Sequence, residues 1–435
     1  MLFMYCFQKQ DRRREDGNPV RNPGIDDSQA GRFMQQDRHS VLIIGAGIAG
    51  LTAAIALSRQ GHRVRVFERY PEVRPLGAGL ILWSNAITAL RHIGLESDVQ
   101  QIGQPLSTLA ITRTDGRVLG RTDAAKLSST AGAQTIAVHR ADLISALLSH
   151  LPEECLQTGK AFTSCTRQGA GVVAHFKDGS SETGDVLIGA DGLHSRVRES
   201  LHGFEAPRYS GYTAWRGISP RPDVTLANPD ASTETWGRGT RFGWVPLTSD
   251  RVYWFAVKNA PEGEPVAQDS DRAELEELFG TWHDPIPQTI AATPDSAILR
   301  HDIYDRDPRS SWGHGPITLS GDAAHPMTPN TGQGAAQAIE DAVVLASCLT
   351  NHQTIDAALR SYEKTRIPRT SMITTLSRRI GSVAQVENPF LCWVRDSLSR
   401  ATPESVTLRQ FEGLVNWSPP TEPDASPLNT PDEAD

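Results

Sequence analysis

Apolar residues follow two rhythms along this chain, and the changes of rhythm divide it. Val41–Ile44 is a short unbroken apolar run, the pattern of a strand buried on both faces. Ile48–Gln60 then repeats apolar positions at helical spacing, and Val64–Phe67 is a second strand-like run. Ser84–Ile93 again reads as helix. After it β-signals dominate. Leu109–Thr114, the Asp115-Gly116 turn and Val118–Leu119 predict a hairpin, and Val172–Lys177 with Asp178-Gly179 begins another. Val186–Ala190 predicts a buried strand leading into a turn. Gly211–Gly217, Ser232–Trp236, Arg241–Val245 and Val252–Val257 predict strands rich in aromatics. Ile317–Ser320 is one more buried strand, Gly334–Cys348 a helix, and the rest to about Trp417 is mostly helical.

Nucleotide-fold pieces therefore recur near residues 40, 186 and 317, with β-rich material between them. The expected fold class is α/β: a Rossmann-like nucleotide-binding domain, an inserted β-sheet domain for substrate, and C-terminal helices. The expected boundaries are 40–80, 138–205 and 311–349 for the nucleotide-binding parts. The inserted domain takes 81–137 and 206–310, and the helical region 350–417. A polar leader at 1–39 and a Pro-rich acidic tail at 418–435 lack periodicity and are expected to be disordered.

Composition narrows the partners. The net charge of −8 argues against an electrostatic nucleic-acid binder. The five cysteines are scattered without CxxC spacing, which argues against a disulfide framework or a zinc site, and no metal is expected. No apolar run approaches the ~18 residues of a membrane span. Met1–Phe7 is too short for a signal-peptide core, and basic residues follow rather than precede it. A cytoplasmic protein acting on a small molecule is expected, with a homodimer among the expected assemblies.

The strongest local signal is Gly45-Ala46-Gly47-Ile48-Ala49-Gly50, directly after a strand run and opening a helix. Gly45 permits a tight turn, Gly47 lets the backbone approach a pyrophosphate, and Gly50 lets helix and strand pack closely. The helix N-terminus offers free N–H groups to the phosphates. Glu68, ending the second strand, stands where an acid hydrogen-bonds a ribose. An adenosine dinucleotide is implied, NAD or FAD. Two further motifs favour FAD. Gly189-Ala190-Asp191-Gly192 places a carboxylate in a turn after a strand, where it caps the next helix or binds a hydroxyl. Gly321-Asp322-Ala323-Ala324-His325-Pro326 follows another strand, and Asp322 there can accept from a polyol chain. The Pro-flanked loop then brings a second helix N-terminus, near Gly332–Ala335, against an electron-rich ring. His325 beside a proline reads first as structural.

In this order and spacing the three motifs resemble those of the class A flavoprotein monooxygenases, and residues 68–79 with Trp83 and Asn85 are similar to the branch of urate hydroxylase and zeaxanthin epoxidase. The resemblance implies a non-covalent FAD held by Gly45, Gly47, Ala49, Gly50, Glu68, Arg69, Gly79, Arg140, Asp191 and Asp322, with Gly332, Gln333, Gly334, Ala335 and Ala336 facing the flavin ring. It implies NADH or NADPH as reductant, O2 as oxidant, and transfer of one oxygen atom through a flavin C4a-hydroperoxide to an aromatic or heteroaromatic substrate. The cofactor would carry the difficult chemistry, so no catalytic triad or metal cluster is required. Strand alternation puts Tyr212, Ala214 and Arg216 on one face, and Tyr212 and Arg216 are the candidate catalytic residues. A histidine base that some family members carry at the Tyr212 position is absent. Arg241 and Tyr253 match substrate-binding positions of the urate enzyme, and an arginine fork suits a planar anion. Trp215, Trp244, Trp254 and Phe255 read as sheet core. An epoxidase or tailoring oxygenase on a larger apolar substrate is the alternative; a reductase, a halogenase and a non-enzymatic flavin sensor lie further off.

Overall fold

The computed structural model of the chain describes residues 39–73, 78–224, 228, 230–265 and 270–420. The expected leader and tail lie outside these, apart from His39 and Ser418–Pro420, as do residues 74–77 of the segment 68–79.

The chain opens as β1 (Ser40–Ile44), α1 (Ile48–Arg59) and β2 (Arg63–Phe67), followed by the short β3 (Gly79–Leu82). Further on come β4 (Val186–Gly189), then β5 (Arg208–Pro220), β6 (Ala231–Trp236), β7 (Thr240–Pro246), β8 (Arg251–Asn259) and β9 (Leu299–Asp305). β10 (Ile317–Leu319) precedes four helices: α2 (Gly334–Asn351), α3 (Ile355–Ala384), α4 (Pro389–Ala401) and α5 (Glu404–Val415).

One sheet has the order β10-β4-β1-β2 with Leu156–Gln157 at its edge, and every pairing is parallel. The register sets Ile43 beside Ile188, and Ile188 beside Thr318. β4 and β10 are buried at every residue, as strands covered by helices on both faces must be. α1 and α2 contribute Leu51, Ile55, Ile339 and Val343 to the core around this sheet.

The second sheet has seven strands, in the order β9-β5-β8-β7-β6, then Thr108–Arg113 and Val118–Asp123. The predicted Asp115-Gly116 hairpin is thus built into the sheet whose other strands lie a hundred residues later. It joins through a parallel pairing of Thr108–Arg113 with β6. On the outer face Trp215, Phe242 and Trp254 are buried beneath two helices, Asp271–Phe279 and Ile286–Ala292. The strand pattern does not announce these helices. Ser270 caps the first by accepting from the Ala273 N–H at 3.2 Å, and Leu275 and Phe279 then fall on one side to meet the tryptophans.

The inner face looks toward the nucleotide-binding sheet. Two cross-strand rows run over it: His301, Ala214, Val257, Arg241, Trp236, and beside them Leu299, Arg216, Phe255, Gly243, Glu234. Phe255 packs, as expected, against a core cluster, of Tyr212, Ala214, Val257 and Ile303, but on the inner face and only half-buried. Alternation turns it to the same side as Arg216, while Trp254 next to it faces the outer helices.

Candidate active site

The three glycine motifs meet at the C-terminal ends of β1, β4 and β10. Gly45 has φ +106°, and a Cβ there would lie 2.4 Å from the Ala190 carbonyl oxygen, so the first motif abuts the second. Gly321 has φ +59°, and its Cβ would lie 2.7 Å from that of Ala49, which seats the third motif on α1. Gly47, at the N-cap of α1, has open space in front of it. That is the cradle a pyrophosphate needs: free N–H groups at a helix start with no side chain in the way.

Glu68 follows β2 and is fixed by two backbone donors. Its Oε2 accepts from the Ala46 N–H at 3.0 Å and its Oε1 from the Tyr70 N–H at 3.1 Å. Asp191 caps the helix that starts at Arg196: Oδ1 accepts the Ser195 hydroxyl at 2.5 Å, and Oδ2 accepts from the Arg196 and Val197 N–H groups at 2.7 and 3.3 Å. Burial raises its pKa, against those hydrogen bonds. Arg69 is exposed, with its guanidinium 4.9 Å from the Tyr70 ring centroid. Arg140 is exposed at the first turn of the helix Arg140–Leu148.

Asp322 has exposed surface, yet its carboxyl is pushed above the usual range by desolvation, against the charges of His325 and Arg140. Below it, His325 Nε2 lies 2.7 Å from Asp341 Oδ2, and Arg366 donates from Nε to Asp341 Oδ1 at 2.7 Å. Burial would raise the Asp341 carboxyl, but the charges of His325 and Arg366 outweigh it and bring its pKa to about 2. Glu340 is lowered in the same way against burial, by Arg366 and Arg369. The buried His325 is thus a strut under the Asp322 loop.

The N-terminus of α2 forms the next wall. Gly332, at φ +62°, brings its backbone beside Trp83; Gly334 faces open space; Ala335 is half-buried and Ala336 buried. Gln333 is held by its oxygen, which accepts from Asn85 Nδ2 at 2.9 Å and Gln337 Nε2 at 3.0 Å. Its Nε2, and the Trp83 Nε1, are buried without a hydrogen-bond partner among the described residues. Buried donors left in this condition mark a place where a polar ligand edge completes the bonding. The pyrophosphate cradle, the exposed Asp322 carboxyl, the orphaned amide and indole N–H groups and the helix start together fit FAD.

Across from this wall lies the inner face of the seven-stranded sheet. A Cβ on Gly79 would come within 2.5 Å of Tyr253 Cβ, so the Tyr253 ring rests directly on β3. Arg216 is half-buried and has no hydrogen-bond or ion-pair partner among the described residues. Burial raises the Tyr253 hydroxyl, and Arg216 opposes that. His301 is exposed on the edge strand, and partial desolvation and the Arg216 charge lower its pKa from the ordinary 6.5, which favours the neutral imidazole at pH 7. Arg216 therefore acts electrostatically on both Tyr253 and His301, at the edge of the face that meets Gly79.

Arg241 lies elsewhere on that face and is differently engaged. It is buried, donating to Gln385 Oε1 at 2.7 Å, Glu234 Oε1 at 3.0 Å and Asn330 Oδ1 at 2.8 Å. Asn330 in turn donates to the Tyr212 hydroxyl at 3.0 Å, the Thr328 hydroxyl at 2.9 Å and the Ser377 carbonyl at 2.9 Å. Tyr212 is buried, its pKa raised by desolvation. The structure separates the four expected substrate-side residues into two groups: Arg216 with Tyr253, and Tyr212 with Arg241.

The sequence assigned no role to His301 or Asn330, which the structure sets beside Arg216 and Arg241. His301 becomes Arg216's neighbour only through the pairing of β9 with β5, across some ninety residues of chain. Asn330 carried a signal, since it lies within the Pro-flanked loop that was singled out.

A family model described as an FAD binding domain matches residues 38–377. The aurachin C monooxygenase/isomerase of Stigmatella aurantiaca is 44% identical over 362 residues, covering 83% of this chain and 94% of that protein. The FAD-dependent urate hydroxylase of Klebsiella pneumoniae is 36% identical over 340 residues, covering 78% and 88%. Among solved structures, Klebsiella pneumoniae HpxO complexed with FAD and uric acid superposes with a TM-score of 0.83 at 32% identity, over 88% of this chain and 98% of the other. No helix among the described residues is long and apolar enough to cross a membrane.

Proposed function

The chain belongs to the class A FAD-dependent monooxygenases, and from that premise we propose how it handles its substrate. It is an FAD-dependent oxidoreductase that consumes NAD(P)H and O2 and hydroxylates an aromatic or heteroaromatic small molecule. One oxygen atom enters the ring, the other leaves as water, and the coenzyme is oxidised. FAD, when bound, supplies the electron transfer and the oxygen-atom transfer.

The observation that carries the substrate reading is the unpaired Arg216 beside Tyr253 and His301. An arginine without a carboxylate partner, half-buried and facing the flavin side, is an anion receptor. The substrate is accordingly a planar ring bearing an acidic oxygen or ring nitrogen, a chemistry that urate exemplifies. Arg216 holds the anionic edge, the Tyr253 hydroxyl orients it, and neutral His301 takes up a proton as the ring gains its oxygen. Arg241 acts at one remove: through Asn330 it fixes Tyr212 and the loop ahead of α2. Glu68, Arg69, Arg140 and Asp322 hold FAD in the roles the family resemblance implies, and Asp191 shapes the turn next to it. A cavity of about 240 Å³ lined by Arg69, His194, Arg196, Arg198 and Arg306 supports a transient seat for the coenzyme phosphates.

NADH and NADPH oxidation by the purified holoprotein, with and without urate, hydroxynicotinate, salicylate, hydroxybenzoates and larger phenolic or quinolone compounds, tests the proposal. Stimulation by a planar anion with little peroxide released supports it. Stimulation only by uncharged apolar compounds overturns the anion reading and leaves the tailoring-oxygenase alternative.

A further inference from the structure

α4 is an amphipathic helix turned inside out. Its inward side carries Cys392 and Arg395, both buried. Arg395 donates to the carbonyls of Ala384 at 3.1 Å and Gly237 at 3.2 Å, pairs with Asp396 at 2.9 Å, and stands 5.1 Å from the Trp236 ring centroid. These bonds fix the helix's rotation. The opposite side, at helical spacing, presents Phe390, Leu391, Trp393, Val394 and Leu398. Phe390 is 66% exposed, Leu391 51%, Trp393 62% and Leu398 63%, and the two aromatic rings stack on each other with centroids 6.0 Å apart. Scattered exposed leucines need no explanation, but a whole helical face of large apolar residues does.

We infer that this face is the contact between two copies of the chain. At ~200 Å² for each fully exposed large side chain, the exposed fractions amount to roughly 450 Å² of apolar area. A standard interface covers about 800 Å² per partner, of which about 56–65% is apolar. The face thus supplies about the apolar area one side requires. Its charges stand aside from the contact: Arg395 is directed inward and pairs with Asp396, and the exposed Arg400, two turns beyond Trp393, falls at the C-terminal end of the helix, on the rim of an isologous contact. A bilayer surface is a poorer occupant. Interfacial helices carry Lys and Arg on the polar face to meet anionic lipid. Here the helix has two arginines, of which Arg395 is buried and only Arg400 is exposed; Glu387 precedes it, and residues 421–435 hold five acidic residues and no basic one.

The inference is independent of the substrate reading. Sedimentation velocity of the FAD-loaded full chain at 10 µM is expected to give twice the chain mass. Trp393→Glu with Leu398→Glu is expected to weaken association about a thousandfold, giving monomer, because buried aromatic and leucine anchors dominate such contacts. Both residues are exposed, so flavin content and circular dichroism stay unchanged. A second pair, Phe390→Ser with Leu391→Ser, gives the same result. Monomeric wild type at 100 µM overturns the inference, as does a dimer that both variants leave intact. Monomeric wild type that co-sediments with phosphatidylcholine–phosphatidylglycerol vesicles, where the variants do not, also overturns it and makes the face a membrane contact.

Discussion

Arg241 on β7 donates from Nη2 to Oδ1 of Asn330 at 2.8 Å, a bond that joins the substrate sheet to the loop preceding α2. Because the Asn330 amide also donates to Tyr212, one guanidinium sets the position of a residue on a neighbouring part of its own sheet by way of the opposite wall. Arg241→Met takes a donor from Gln385, Glu234 and Asn330, and Glu234 keeps only the Trp236 indole N–H. Removing one member of a buried charged pair costs about 3–5 kcal/mol, reduced here because Glu234 is partly exposed. We expect a lower Tm, retained FAD, and more peroxide per coenzyme consumed. Asn330→Ala combined with Arg241→Met is expected to add little further loss, since the two act in series. Additive losses in coupling would separate them.

Asp322→Asn is expected to weaken FAD binding about 10–100-fold, the range for losing a hydrogen bond to a charged group. The same change should leave the apoprotein no less stable. The folded-state pKa of Asp322 is raised, so its charged form is disfavoured above that pKa, and removing the charge relieves the penalty at pH 7. Flavin titration and apoprotein melting check the two halves separately.

Arg216→Met is expected to raise substrate KM about 10–100-fold with FAD content unchanged, because a charge-assisted contact is lost at the substrate edge alone. Tyr253→Phe should give a smaller effect in the same direction. Equal KM values in all three proteins would remove Arg216 and Tyr253 from the substrate site.

His301 gives a pH signature. Its pKa lies below 6.5, lowered first by burial and then by Arg216, so the neutral imidazole predominates at pH 7 and is lost as pH falls through the lowered value. The acid limb of kcat/KM is expected to disappear in His301→Gln. In Arg216→Met it should move to higher pH, since one of the two causes of lowering is gone. A limb identical in all variants would assign it elsewhere.

Asp341 supplies a stability signature in acid. Its pKa is about 2 in the folded protein against an ordinary 3.8, so the stabilisation is complete above pH 4 and disappears as pH falls toward 2. The Tm difference between wild type and Asp341→Asn is therefore expected to be largest at neutral pH and to narrow below pH 4.

The sequence by itself determined the nucleotide-binding half. β1, α1, β2, β4, β10 and α2 were legible because each is a local apolar pattern, in most cases ended or opened by a glycine, and a phosphate cradle is built from consecutive residues. Glu68, Asp322 and Gln333 were legible for the same reason: each stands at a fixed offset from a strand end or a helix start. The substrate face was not. Alternation correctly grouped Tyr212, Ala214 and Arg216, but it treats every residue of a strand face alike. Only strand pairing placed His301 beside Arg216, and only the docking of the sheet against α3 and the loop at Asn330 engaged Arg241 while leaving Arg216 free. Two arginines twenty-five residues apart, in similar strands, thus received opposite conditions. A side chain's hydrogen-bond partners depend on segments that meet in space, and that meeting is decided by packing rather than by neighbours along the chain.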